Sequence, residues 1–213
     1  MANPNRHFHI EDPTTIAALV GAHPLATLVF PHEGQMVVNH IPLWLEPGLG
    51  AQGTLWGHVA RSNTVWRQLP AESAVAVFHG PQAYVSPGWY PSKMPEGKAV
   101  PTWNYTAVHA HGTLRTVTDP AAVRALVQRL TANHEGHRAP PWTMDDAPPA
   151  FIDALLAGIV GIEFTVQRWD AIHKASQNRS AEDQAGVVRG LQAEATPHAQ
   201  AMAKAMERGL PGR

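Results

Sequence analysis

The 213-residue chain contains no cysteine. That excludes disulfide scaffolds, thiolate-ligated zinc or iron and any thiol nucleophile, and it leaves the redox compartment open. Charge is sparse and balanced: 16 Lys+Arg against 17 Asp+Glu leave a formal net charge of -1. Such a balance argues against a broad basic face gripping nucleic acid phosphates, while a local basic patch stays open. Long apolar runs are missing too. The most apolar stretch, Phe151 to Val166, is interrupted by Asp153 and Glu163, and it falls short of the ~20 residues that span a bilayer. The start, Met-Ala-Asn-Pro-Asn-Arg-His, carries no apolar segment behind a basic one. No secretory signal is read there, and a soluble, cytoplasmic protein without a membrane partner is expected. Gly-x-x-x-x-Gly-Lys-Ser/Thr, Gly-x-Gly-x-x-Gly after a strand, and Gly-x-Ser-x-Gly are absent, so nucleoside triphosphate, Rossmann and nucleophile-elbow sites find no support. What is abundant is histidine, 13 residues, and tryptophan, seven. Hydrophobic residues make up 44%. A chain of this size buries about 70% of its unfolded surface, enough for a core without disulfide or metal.

Asp12-Pro13 reads as an N-cap with proline in the first turn, and Ile16, Leu19 and Val20 mark one face of a short helix. Pro24–Phe30 and Gln35–Leu45 are rich in β-branched and aliphatic residues and flank Pro31-His32-Glu33-Gly34, which predicts a hairpin. Glu46-Pro47-Gly48-Leu49-Gly50 then separates that strand from another over Gln52–Val59. Asn63 is placed to cap a short helix through Leu69, and Ser73–Phe78 supplies a further run. From Val100 to Thr118, Val108, Ala110, Gly112 and Leu114 alternate with polar residues, as in a long strand with one buried face. Asp119-Pro120 starts a second helix, Phe151–Leu156 forms a third, and Ile159–Trp169 returns to strand with Ile162, Phe164 and Val166 on one face. Glu182–Gly209 reads as two helical pieces parted at Thr196-Pro197. Short strands, Gly/Pro-rich turns and peripheral helices predict a mainly β fold, a small antiparallel barrel rather than a βαβ sheet.

Several segments carry more chemistry than strand packing requires. In Gly57-His58-Val59-Ala60-Arg61-Ser62-Asn63 a strand gives way to a helix start, where backbone N–H groups and an arginine fork suit a phosphate. A surface turn with a solvated Arg61 and a capping Asn63 reads equally well. Ser86-Pro87-Gly88-Trp89-Tyr90 and Val100-Pro101-Thr102-Trp103-Asn104-Tyr105 bracket a flexible span, Lys93–Lys98. They form either a pocket edge that stacks on a planar ligand or a core or dimer interface. Lys174-Ala175-Ser176-Gln177-Asn178-Arg179 is cationic and either reaches an anion or simply connects to the C-terminal helices. His7/His9 and His109/His111, spaced i,i+2, would share a strand face as metal ligands do, but no third and fourth ligand at a recognisable spacing accompanies them, so no metal is assigned.

Taken in order, His40-Ile41-Pro42-Leu43, Gly57–Asn63, Gly80–Tyr90, Val100–Tyr105 and Ser176-Gln177-Asn178-Arg179 resemble the PaiB-type FMN-binding negative transcriptional regulators along nearly the whole chain. The resemblance implies an FMN-binding split β-barrel of the pyridoxamine-phosphate-oxidase type, a homodimer, and an FMN site between subunits. It implies a barrel domain over residues 1–170, and over 171–213 a polar segment and helices packed on the barrel or the partner subunit. It puts Arg61 and Asn63, with His58, at the phosphate, and Trp89, Trp103 and Asn104 beside the flavin ring. His40 and Pro42 would line the strand beneath the ring, and Lys174 and Gln177 would add polar contacts, from the other subunit in one arrangement. Gly88 departs from the serine or similar small residue expected there. The implied output is transcriptional repression. A flavin-dependent oxidoreductase acting on a small substrate is the alternative, and a His-rich barrel holding metal, haem or no cofactor is a third reading. DNA stays open as a partner that the net charge does not favour. Arg179, Arg189, Lys204 and Arg208 interleave with Glu182, Asp183, Glu194 and Glu207, as on a solvated helix face.

Overall fold

The computed structural model describes residues 5–46, 48, 50–93 and 97–210. Met94, Pro95 and Glu96 of the expected flexible span, Pro47 and Leu49 of the turn cluster, and residues 1–4, where a signal was sought, lie outside the described residues.

A 3-10 turn over Arg6–Phe8 precedes β1 (His9–Ile10) and α1 (Pro13–Ala22). His7 is therefore not on a strand with His9: the Asn5 side chain accepts its N–H at 3.1 Å and folds the turn instead. α1 starts where its Asp-Pro signal lies, with the Asp12 carboxylate accepting the Thr15 N–H at 2.8 Å. Ile16, Leu19 and Val20 are buried along it.

β2 (Leu25–His32) and β3 (Gln35–Pro42) form an antiparallel hairpin in register from Leu25↔Pro42 to His32↔Gln35. Its loop is Glu33-Gly34 alone, with φ of 48° and 77°. Two-residue hairpin loops need that left-handed backbone to match strand twist, which glycine supplies at no steric cost. Pro31 and His32, which have turn composition, belong to β2.

β4 (Trp44–Glu46) and β5 (Thr54–Ala60) follow, then a 3-10 turn (Thr64–Gln68) and β6 (Ala71–Val85). Further 3-10 turns at Pro87–Trp89 and Pro91–Lys93 lead to β7 (Thr102–Val117), α2 (Pro120–Glu135), α3 (Pro149–Ala157) and β8 (Ile159–Lys174). α4 (Ala181–Ala193) and α5 (Pro197–Arg208) end the described chain, parted at Thr196-Pro197 as expected. The eight strands make one antiparallel sheet in the order β3-β2-β6-β7-β8-β5-β4, with β1 on β8. β5 lies on β8 from Thr54↔Thr165 to Ala60↔Ile159. The path ends at β3 and β4 without closing, which makes the fold a split β-barrel with peripheral helices.

β7 follows its alternation, with even-numbered residues from Asn104 to Leu114 buried. β6 is longer than its apolar run because its buried set is even from Ala74 to Phe78 and odd from Ala83. A strand that changes its buried face across Gly80-Pro81 reads as two fragments in a period-two pattern. On β8, Ile162, Phe164 and Val166 share a buried face, but Gly161 and Glu163 opposite are buried as well. A Cβ on Gly161 would meet Leu126 of α2 at 3.1 Å, so the helix covers that second face.

The chain divides into two compact units. One comprises Met1–His23, Phe78–His109 and Asp170–Arg213, the other Pro24–Val77 and Ala110–Trp169. In the first, Ala83, Val85, Tyr90, Val187, Leu191 and Met202 form the heart of a core in which α4 and α5 take part. In the second, Leu28, Phe30, Leu55, Leu114, Ile162 and Phe164 are all but inaccessible.

Candidate functional site

In the second unit, β5 ends at Ala60 and the chain turns through Arg61 and Ser62. Asn63 then caps the following 3-10 turn, its side-chain oxygen accepting the Val65 N–H at 3.1 Å. The Asn63 amide also exchanges hydrogen bonds with Asn39 of β3, at 3.3 and 3.5 Å. Arg61 is held by carbonyls at the end of α3. Its backbone N–H donates to Gly158 at 2.7 Å, its Nε to Ala157 at 3.0 Å and its Nη2 to Ile159 at 3.2 Å. A cation there faces the negative end of the helix dipole. The Trp66 indole N–H donates to the Arg61 carbonyl at 3.0 Å. The guanidinium carbons of Arg61 and Arg67 lie 5.7 and 5.3 Å from the Trp66 ring centre, within cation–π range. Two arginines thus gather about one indole, and only one of them was singled out by sequence. Arg67 lies outside the motif block and carried no signal of its own.

His40 and Pro42 are exposed on β3, and His40 Nδ1 lies 3.3 Å from the Thr27 hydroxyl. His58, on the outward face of β5, borders a recess with Val127, Trp142, Met144 and Ile152, and Ile159, whose carbonyl accepts from Arg61, lines the same recess. His58 is exposed, yet its apolar neighbours partly desolvate the ring and lower its imidazole pKa from the usual value.

In the first unit, Trp103 and Asn104 point to opposite faces of β7, as a strand requires of neighbours. Trp103 is 55% exposed, with its ring edge against Tyr84 at 6.3 Å between centres. Asn104 is fully buried: its Nδ2 donates to the Ser176 hydroxyl at 2.9 Å and that hydroxyl donates back to Oδ1 at 3.3 Å. Lys174 Nζ donates to the Trp103 carbonyl at 2.6 Å and to the Thr102 hydroxyl. Burial, and then Arg179, hold the Lys174 pKa below the ordinary lysine value. Gln177 folds back on its own turn, accepting from the Ala175 N–H at 2.6 Å and donating to the His173 carbonyl. Trp89 is half-buried against α4: a Cβ on Gly190 would come within 2.2 Å of its ring. Of these five residues Trp103 alone presents a largely open aromatic surface, while Asn104 and Trp89 hold the unit together. Ser176 and Thr102, which fix Asn104 and Lys174, were not foreseen as partners.

No three His, Asp or Glu side chains among the described residues come together as a metal site. No helix among them is long and apolar enough to cross a membrane.

The chain matches the family described as "Putative FMN-binding domain" over residues 3–168. It is 32% identical over 206 residues to the protease synthase and sporulation protein PAI 2 of Bacillus subtilis, with 95% of each chain covered. An uncharacterised protein of Aspergillus fumigatus is 32% identical over 192 residues, covering 74% of this chain and 73% of that one. Among solved structures, the flavocytochrome Anf3 from Azotobacter vinelandii superposes with a TM-score of 0.62 at 12% identity, covering 85% of this chain and 77% of that one. The FAD and heme binding protein from Mycobacterium smegmatis gives 0.58 at 16% identity, covering 83% and 78%. At such identities the structural likeness speaks for the fold alone. The sequence match carries the kinship, and with motif blocks in order from His40 to Arg179 and identity maintained along the length of PAI 2, the chain belongs to the FMN-binding-domain family of PaiB type.

Proposed function

We propose that the protein binds FMN as a homodimer and acts in the cytoplasm as a negative regulator of transcription, directly or indirectly. The observation that carries the flavin reading is the family match over residues 3–168, which includes the Arg61–Trp66–Arg67 cluster. A flavin phosphate is dianionic near neutral pH, and leaving it without cations and donors would carry a large desolvation cost. Arg61 and Arg67, with Asn63 beside them, fit that group. The half-open Trp103 ring fits an isoalloxazine face, Lys174 fits an anionic edge, and His40 and Pro42 offer a strand surface beneath the ring. Asn104, Trp89 and Gln177 would serve by shaping the elements that carry these side chains. His58, exposed three residues before Arg61, would lie at the same phosphate. Bound flavin takes up and returns hydride or electrons through its own ring, so the protein need only bind and orient it.

The regulatory reading rests on kinship to a sporulation protein, PAI 2. A flavin-dependent oxidoreductase is the second reading. It is favoured by the net charge of -1, which offers DNA little general attraction. Fluorescence titrations of FMN and riboflavin against wild type and Arg61→Ala test the flavin site. Arg61→Ala is expected to weaken FMN by ~1.5–3 kcal/mol, the worth of a charged hydrogen bond. Riboflavin, which lacks the phosphate, should be nearly insensitive, and circular dichroism reports folding. No flavin binding by wild type would overturn the reading. NAD(P)H oxidation by the flavin-loaded protein, set against salt-dependent binding to promoter DNA, separates enzyme from repressor.

A further inference from the structure

Between β8 and α4 the chain makes a fixed turn that lies wholly within the first unit. Ser176 at its centre is buried and has φ of 60°, a left-handed backbone that a residue with a side chain seldom adopts. Three contacts impose it: Asn104 holds the Ser176 hydroxyl, the Gln177 side chain accepts the Ala175 N–H, and the Arg179 N–H donates to the Ser176 carbonyl at 2.9 Å. A backbone so over-determined is characteristic of ligand clamps.

The turn is flanked by two half-buried cations, Lys174 and Arg179. The guanidinium carbon of Arg179 lies 4.8 Å from the ring centre of buried Tyr90, a cation–π contact that fixes its plane. Among the described residues that guanidinium makes no hydrogen bond and no ion pair. Arg61, Arg115, Arg124, Arg129 and Arg138, by contrast, each bond a carbonyl or a carboxylate. Asp183 is the acid that feels the charge of Arg179, but both its oxygens accept from Ser92. Lys174 has no carboxylate partner either, since its Nζ donates to the Thr102 hydroxyl and the Trp103 carbonyl. After burial, Arg179 is the second cause of its lowered pKa, so the two cations act on each other. Like charges held together on a fixed turn are relieved by an anion, and a guanidinium with its donors unspent offers a planar fork to a carboxylate or phosphate. We propose that Arg179, flanked by Lys174, is a second anion site, which takes the carboxylate or phosphate group of a small organic molecule. Lys174 has already spent two of its three donors and supplies charge more than contacts, so it can face a flavin edge as well. The site does not rest on flavin binding.

The probes are inorganic phosphate and acetate, titrated into the full-length protein labelled with ¹⁵N-arginine. The Nε–H resonance of Arg179, identified by its loss in Arg179→Gln, should shift and saturate with one or both anions, whereas uncharged acetamide should leave it in place. Saturation by phosphate at the lower concentration assigns the site to phosphate groups, and by acetate to carboxylates. Lys174→Gln should raise the saturating concentration severalfold. Because the Arg61–Arg67 cluster can take phosphate too, affinity is compared calorimetrically in an Arg61→Ala background. There Arg179→Gln should weaken the tighter anion about tenfold, the equivalent of one net hydrogen bond, and Arg179→Lys should recover part of the loss. Circular dichroism reports folding, and should Arg179→Gln fold poorly, the wild-type resonances still decide. An Arg179 resonance indifferent to both anions overturns the site, as does equal affinity in the Arg179→Gln and parent proteins. Repeating the titration with FMN bound should give the same shift. If FMN itself moves the Arg179 resonance and blocks both anions while riboflavin does not, the group belongs to the flavin phosphate and no second site exists. A protein that binds anions at Arg179 but no FMN keeps this site and loses the flavin reading.

Discussion

At Asn104 a single side chain ties β7 to the turn that follows β8, through Ser176 72 residues away. Both groups are buried, so removing the amide strands the hydroxyl, and a buried polar group left without a partner costs about 1–3 kcal/mol. Asn104→Ala should lower unfolding stability by that amount in urea titration. Trp103→Ala, on the exposed face, should cost far less, and equal losses would contradict the division of roles. The two residues stand together in Val100-Pro101-Thr102-Trp103-Asn104-Tyr105, and the family resemblance put both beside the flavin ring. The period of a strand already sends neighbours to opposite faces, so this separation was legible. The bond to Ser176 was not, because nothing in local spacing announces a partner so distant. Arg61 teaches the same lesson. Its arginine type and its position after a strand were readable, but the carbonyls of Ala157, Gly158 and Ile159 that orient it come from a helix end nearly a hundred residues on.

The starts at Asp12-Pro13 and Asp119-Pro120 were the most legible elements, because each places an oxygen-bearing cap before a proline in the first turn, whereas Thr196-Pro197 was legible as the break between two helical pieces. How a helix docks is less so. α4 lies against the Pro87–Trp89 turn because Gly186 and Gly190, one turn apart, leave room for it. A Cβ at Gly186 would meet the Trp89 carbonyl at 2.1 Å, and one at Gly190 the Trp89 ring. Gly190→Ala should cost about 1–3 kcal/mol through overpacking. In a Trp89→Ala background the same change should cost little, and a double-mutant cycle by urea unfolding that returned additivity would refute the contact. The start of α4 is fastened by Asp183, whose carboxylate accepts from the Ser92 hydroxyl at 2.7 Å and the Ser92 N–H at 3.1 Å. Those bonds, the hydroxyl first, hold its pKa below the ordinary carboxylate value. A carboxyl depressed in the folded state stabilises above its unfolded pKa, about 3.9, and loses that contribution as pH falls through the folded value. Asp183→Asn should therefore be less stable than wild type near neutrality, with the gap closing below about pH 4. Thermal unfolding from neutral to acid pH checks it, and a gap that stays constant would assign the effect to packing alone.

At the scale of the molecule, alternation and turn residues pointed to an antiparallel barrel, yet strand order was beyond them. β5 pairs with β8, not with its neighbour in sequence β6, and that choice is made by the packed core. The β2–β3 hairpin shows what such a sheet leaves uncovered. One of its faces is sealed, with Ala26, Leu28 and Phe30 inaccessible. The other presents cross-strand pairs Leu25↔Pro42, Thr27↔His40, Val29↔Val38 and Pro31↔Met36. On it Leu25, Met36 and Val38 are 60%, 63% and 57% exposed. Adjacent exposed aliphatic side chains on an edge hairpin suit cover by a partner. A second copy is the partner that the proposed homodimer supplies. The face holds His40 and Pro42, so covering it would also shelter the strand proposed to lie beneath the flavin. Sedimentation at micromolar concentration should show a dimer, with a contact above roughly 1,000 Å², the floor for a specific interface. Val38→Glu would bury a carboxylate in that contact, at a cost that shifts the equilibrium toward monomer. Its sealed face is untouched, so circular dichroism should stay that of wild type. If FMN is held between subunits, the same variant must weaken FMN in proportion to the dimer lost, and raising protein concentration must restore both together. A monomeric wild type would remove the interface, whereas a dimer unaffected by Val38→Glu would move it elsewhere on the surface.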